Sequence, residues 1–251
     1  VIIVKKSKSR VDYFGRLEEL RIRLAICAAG VLIAAVASFA FVDCLRDIII
    51  RPGGNLQLIY VQPAEALMAN IRIAFIAGFT FAMPLIFTQL VLFVSPALYK
   101  NNKVIIPTVV AMFILFSLGV AFAYFTVLPF AISFFLKFAA EDLTPMFTIS
   151  NYLAFATNFL FAFGFVFQLP LVFLFLGKLN LVSAGFLRRN RKYALLVILT
   201  VAALITPPDV FSQLMMAAPL LFLYEIGIIL VALTQRKQKQ EADKKPEGNG
   251  E

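Results

Sequence analysis

Six long apolar runs, at 24–42, 73–94, 104–136, 152–176, 193–205 and 210–233, constrain this chain more than any other feature. A bilayer core of about 30 Å is crossed by roughly 20 helical residues, and within it every backbone N–H and C=O must be satisfied inside the segment, so such runs read as membrane-spanning helices. Composition agrees: 61% of the 251 residues are hydrophobic and 15% are charged, at a mean hydropathy of +0.90, more apolar than a soluble domain of this length can hide. There are 28 Phe and no Trp, which leaves interfacial anchoring to the 7 Tyr, helped by Lys and Arg. The expected fold is all-α, a polytopic membrane protein of six transmembrane helices.

Two of the runs have the wrong length for a simple span. At about 1.5 Å per residue the third makes a rod of roughly 50 Å, which must protrude, tilt or bend, with Pro129 as a candidate bend, whereas the fifth reaches only about 20 Å. The fifth and sixth form a tight hairpin through Thr206, Pro207, Pro208 and Asp209, since two prolines end one helix and Asp209 can cap the next. Lys and Arg set the orientation. The N-terminal segment, the second loop, the fourth loop and the C-terminal tail carry 7, 2, 5 and 5 of them, 19 of the 23, and the intervening loops carry 3, 1 and 0. By the positive-inside rule both termini are cytoplasmic and the number of spans is even.

Three segments follow: a basic cytoplasmic stretch at 1–13, a membrane domain at 14–234, and a Lys-, Glu- and Gly-rich tail at 235–251, expected to be disordered for want of apolar periodicity. Residues 1–4 are too short an apolar run for a cleavable signal, and the basic cluster follows them. The chain has no His, which removes His-based triads, HExxH zinc sites and imidazole relays. Cys27 and Cys44 lie near opposite ends of one expected helix, roughly 25 Å apart and beyond disulfide reach. No Gly pattern forms a nucleotide-binding loop. Neither a metal nor a cofactor is expected, and the net charge of +9 reports membrane orientation rather than nucleic acid. No internal repeat is evident, which weakens an inverted-repeat transporter reading.

Function must lie in the polar exceptions. Before the first run, RLEELRIRL at 16–24 places Leu17, Leu20 and Leu24 on one face of a helix continuous with the span. Glu19 and Arg23 are spaced i, i+4, so they form either a surface ion pair or, with Glu18, carboxylates offered to a basic ligand. Glu225 falls in the sixth run, where an ionisable group costs at least roughly 2.5 to 3.5 kcal/mol and must face protein or water. Gln168 before Pro170, and Asn158, read as interhelical hydrogen-bond donors or as cavity residues. The loop at 43–72, with Pro52, Gly53, Gly54 and Pro63, has the turn chemistry of a compact cap.

Taken together, these segments resemble TatC, the polytopic subunit of the twin-arginine protein translocase. The resemblance covers roughly 14–233 and rests on RLEELRIRL, FVSPALYK at 93–100, GVAFAYFTVLPFA at 119–131, FLRRNRKYA at 186–194, TPPDVFSQ at 206–213 and LYEIG at 223–227. It implies six spans with both ends cytoplasmic, a long third helix, and short fifth and sixth helices around a concave cavity. It further implies a non-enzymatic receptor for signal peptides with consecutive arginines, exporting folded proteins with TatA- and TatB-type single-span partners, driven by the proton-motive force. The receptor itself is expected to be a homo-oligomer in membrane lipid.

Carried onto this chain, the resemblance puts the receptor carboxylate at Glu19, with Glu18 beside it, Arg21 and Arg23 as flanking basic positions that orient the carboxylate or touch lipid headgroups, and Asn102 in the second loop where the family often has Glu. Gln168 stands where the family tends to carry Glu. Pro52, Phe93, Gln168, Asp209 and Glu225 are cavity or translocation-linked positions, and Phe211 and Met215 are candidate partner contacts. The competing class is a small-solute or ion transporter using Glu225, Gln168 and Asn158 as a polar path.

Overall fold

The computed structural model describes residues 8–54, 56, 58–98, 104–137, 147–205 and 210–243. Asn102 and Asp209 therefore lie outside the described residues, as does the Phe211 side chain. The fold is almost wholly helical. In chain order the helices are α1 (Lys8–Phe39), α2 (Val42–Ile50), α3 (Pro63–Leu98), α4 (Ile105–Phe122), α5 (Leu128–Lys137), α6 (Ile149–Val166), α7 (Leu169–Lys178), α8 (Ala184–Arg189), α9 (Arg191–Ile205) and α10 (Val210–Asp243). Among the described residues, five stretches are long and apolar enough to cross a membrane: Leu17–Phe39, Pro63–Val94, Ile105–Lys137, Ile149–Lys178 and Gln213–Gln240. The expected fifth span is α9, whose 15 residues reach about 22 Å and fall short of a full crossing.

The chain divides into two compact units, Val1–Asp47 with Pro63–Val110, and Ile48–Gln62 with Ala111–Glu251. In the first, α1 packs along α3. Their closest approach uses Gly78, where an added Cβ would overlap the backbone of Ala35. Small residues at such a crossing let helices associate by contact where lipid offers no hydrophobic drive. The outer faces of α1 and α3 keep Leu32, Ile33, Val36 and Phe81 exposed, as a bilayer-solvated surface should.

In the second unit, the long third run is α4 and α5 joined by a π-helical turn at Ala123–Val127, in which Leu128 N–H reaches back to Ala123 C=O. The irregularity precedes Pro129, which has no N–H for a helical bond, so the expected disturbance falls one turn earlier than its cause. The fourth run is likewise two helices. Pro170 lies in the first turn of α7, and Phe167 and Gln168 form the break. Gly164 of α6 admits the Phe116 ring where a side chain would clash, and Phe116 stands edge-on to Phe165 at 5.9 Å.

The expected cap at 43–72 consists, in this unit, of a 3₁₀ turn at Arg51–Gly53 and a two-residue strand β1 (Leu58–Ile59). That strand pairs in parallel with β2 (Phe147–Thr148). Tyr124 donates its hydroxyl to Ile48 C=O at 2.8 Å, and Tyr152 donates to Ile49 C=O at 3.0 Å. These two phenols satisfy the terminal carbonyls of α2, which have no intrahelical partners.

Two expectations need correction. Cys44 belongs to α2 and not to the helix of Cys27, because α1 ends at Phe39. Both thiols are free. The tail is not disordered from 235: α10 runs on to Asp243. The cause is hydrogen bonding invisible to a periodicity argument. Gln235 accepts from Ala184 N–H at 3.2 Å, and Gln238 donates to Lys178 C=O at 3.2 Å. The turn they clasp ends α7 with Asn180 at φ 58° and with Leu181 N–H on Leu176 C=O, the αL closure that Asn tolerates.

Candidate functional site: the carboxylate mouth of the first unit

The uninterrupted helix α1 carries the RLEELRIRL stretch, so its charges lie on a rigid rod. Glu18 and Arg21 pair at 3.6 Å with both side chains largely exposed, a contact worth between nothing and about 1 kcal/mol in water. Glu19 and Arg23 are different. Arg23 donates Nε to Glu19 Oε1 at 3.0 Å and Nη2 to the same oxygen at 2.6 Å. Its third contact leaves the helix, with Nη1 donating to Gln89 Oε1 of α3 at 2.9 Å. The Arg23 side chain is 21% exposed and that of Glu19 is 45% exposed. Both Arg23 bonds fall on Oε1, and among the described residues none falls on Oε2.

Two cavities meet at this arrangement. One, of about 430 Å³, is lined by Glu18, Glu19, Ile22, Arg23, Ile26 and Gln89. The other, of about 560 Å³, is a groove between α1 and α3 whose walls include Leu24, Cys27, Val31, Phe75, Phe79 and Phe93. Arg23 and Gln89 border both. The first unit thus sets a half-exposed carboxylate acceptor beside an apolar trough. A cationic head attached to an apolar segment fits such a surface, since a carboxylate accepts a guanidinium more strongly than a neutral group does.

Of the residues expected from sequence, Glu18, Glu19, Arg23 and Phe93 come together here, and Arg21 turns to Glu18. The others lie in the second unit. Gln168 is 7% exposed and donates Nε2 to Met112 C=O at 3.1 Å, while its Oε1 is buried without a partner among the described residues. Glu225 accepts from Arg191 Nη2 at 2.7 Å with both side chains about half exposed. Pro52 sits in the 3₁₀ turn, and Met215 is half-buried on α10. Asn158 is exposed on α6. Gln168 bonds to Met112 and Glu225 to Arg191, and among the described residues no hydrogen bond joins either of them to the other or to Asn158.

Sequence reasoning missed Gln89. Its signal was available: a Gln inside the apolar run 73–94 is the same kind of exception that drew attention to Gln168. Arg191 as the partner of Glu225 had no such signal, because 34 residues separate them.

The family model described as "Sec-independent protein translocase protein (TatC)" matches residues 16–219. A Sec-independent protein translocase protein TatC of Carboxydothermus hydrogenoformans is 42% identical over 229 residues, 90% of this chain and 94% of that protein. One of Desulforapulum autotrophicum is 37% identical over 252 residues, 98% of this chain and 93% of that protein. A crystal structure of a twin-arginine translocase receptor, TatC, superposes with a TM-score of 0.79 at 36% identity, covering 88% of this chain and 100% of that one. With a matching helical fold, several membrane-crossing stretches and these relatives, the chain belongs to the TatC family of Sec-independent protein translocase proteins.

Proposed function

We propose that this chain is the signal-peptide receptor of a twin-arginine translocase and that Glu19 accepts a guanidinium of the consecutive arginines. The observation that carries the reading is the half-exposed Glu19 carboxylate, held through one oxygen at a cavity that adjoins an apolar groove. A guanidinium presents a planar fork of donors that a carboxylate matches, whereas an ammonium offers a point charge. The apolar stretch following the arginines lies in the groove lined by Phe75, Phe79 and Phe93, stabilised by about 25 cal/mol for each Å² of apolar surface it removes from water. Asn102, outside the described residues, is by the resemblance the position where the family often has Glu, and it offers a neutral acceptor only.

In this reading the chain is a translocase component and not an enzyme. It lies in the cell membrane with both termini cytoplasmic, as the basic bias of 19 in 23 directs. It works as a homo-oligomer with TatA- and TatB-type single-span partners, contacted near Phe211 and Met215, and exports folded precursors on the proton-motive force. Gln168, Asp209, Glu225 and Pro52 belong to the translocation step rather than to recognition.

Crosslinking tests the receptor assignment. A precursor with the arginine pair should crosslink to the first unit, and its Lys-Lys counterpart should crosslink about tenfold less, the loss expected when a charge-assisted guanidinium contact is removed. Glu19→Ala should abolish the difference. Equal crosslinking of both precursors to the native chain sinks the assignment.

A further inference from the structure

Arg23 is held at both ends. One edge of its guanidinium donates twice to Glu19 Oε1 and the other donates to Gln89 Oε1 on a different helix. Because a guanidinium is planar and rigid, fixing Nη1 also fixes the direction of Nε and Nη2. Gln89, from the α3 side, therefore fixes the guanidinium plane that holds Glu19 Oε1. Neither Arg23 bond uses the second carboxylate oxygen, and Glu19 and Gln89 both line the 430 Å³ cavity.

Charge alone does not select a ligand here. Glu18 is paired with Arg21 and Glu19 with Arg23, so the four groups sum to zero, and long-range attraction for any cation is weak. Discrimination then falls to hydrogen-bond geometry. A guanidinium needs an acceptor held in a fixed plane, while an ammonium with three rotatable donors tolerates a swinging one.

We propose that Gln89 is a positioning residue that, through Arg23, orients the Glu19 carboxylate and thereby sets the preference for arginine over lysine in the bound signal. The proposal rests on the receptor reading above and adds a residue that acts without touching the ligand's guanidinium. Gln89 also borders the groove, so the residue that orients the carboxylate marks where the polar mouth gives way to the apolar trough.

The test uses the full chain in nanodiscs and two fluorescent peptides, one with two arginines followed by an apolar segment and the other with two lysines in their place. Gln89→Leu should weaken the arginine peptide about fivefold to tenfold while changing the lysine peptide less than about twofold, a loss of geometry and not of charge. Gln89→Glu should restore the preference, because its carboxylate still accepts from Arg23. Arg23→Lys, which keeps the charge but loses the rigid fork, should lower the ratio as Gln89→Leu does, and it serves if Gln89→Leu does not fold. An unchanged ratio in either variant, or a Gln89→Glu protein no better than Gln89→Leu, overturns the proposal. Glu19→Gln separates the two levels: if it keeps the native arginine preference the receptor reading itself fails, and if it loses that preference while Gln89→Leu retains it only the role of Gln89 fails.

Discussion

Glu19 in the first unit and Gln168 in the second each hold one oxygen with no hydrogen-bond partner among the described residues, and their surroundings give those oxygens opposite meanings. The Glu19 side chain is 45% exposed, so its carboxylate is open to solvent and to a ligand. Gln168 is 7% exposed and its Oε1 is walled off, which costs about 1 to 3 kcal/mol for as long as nothing donates to it. The first is an acceptor kept ready at low cost. The second is a standing penalty that a core selected only for stability would shed, and such exceptions cluster where a protein moves or assembles.

The largest expected effect breaks the first half of this comparison. Glu19→Ala should remove arginine-dependent binding altogether and leave Arg23 with only Gln89, while the fold loses about 1 kcal/mol, since the group removed is half-exposed and Arg23 keeps its bond to Gln89. Peptide anisotropy and thermal unfolding, measured on one preparation, check the two parts. Binding that survives within about twofold would put the acceptor elsewhere. Gly78→Leu should act in the reverse sense. It forces α1 away from α3 at Ala35 and should destabilise the first unit by about 1 to 3 kcal/mol, the usual range for overpacking. Both cavities would be distorted with it. Normal peptide affinity with an unchanged melting temperature would show that the two helices do not need this contact.

Gln168→Leu sharpens the other half. The change removes one hydrogen bond, to Met112 C=O, along with the orphaned oxygen, so stability should shift by less than about 1 kcal/mol as the two terms offset. Transport should nevertheless fall several-fold, and peptide binding should not change. Gln168→Glu, which supplies the carboxyl that the family resemblance leads one to expect here, should retain transport. Full transport by the Leu variant would show that polarity at this position is dispensable.

How much of this was legible beforehand depended on sequence distance. Apolar run length revealed the long third helix and the short fifth, because each is a property of contiguous residues. Glu19 and Arg23 were legible for the same reason, being one helical turn apart on α1. What stayed hidden was pairing across helices. Gln89 meets Arg23 over 66 residues, and Gln235 caps the turn at Ala184 over 51. The second of these explains why a tail with no apolar periodicity is helical as far as Asp243: side-chain amides bonded to an exposed turn hold it, and no hydrophobic face is needed.

The smallest effect belongs to Glu225. Inside an apolar run it looked like a charge that lipid would penalise, yet Arg191 reaches it at 2.7 Å with side-chain exposures of 54% and 47%, so the pair lies on the protein's surface and not in its core. Glu225→Gln should then cost less than about 1 kcal/mol. The coupling measured in a double-mutant cycle with Arg191→Gln should shrink as salt rises from about 0.1 to 1 M, where the Debye length falls from about 10 to 3 Å. A coupling above about 3 kcal/mol, insensitive to salt, would be the signature of a buried pair. It would move Glu225 from the class of Glu19, an acceptor open to solvent, into that of a buried group supported by its partner alone.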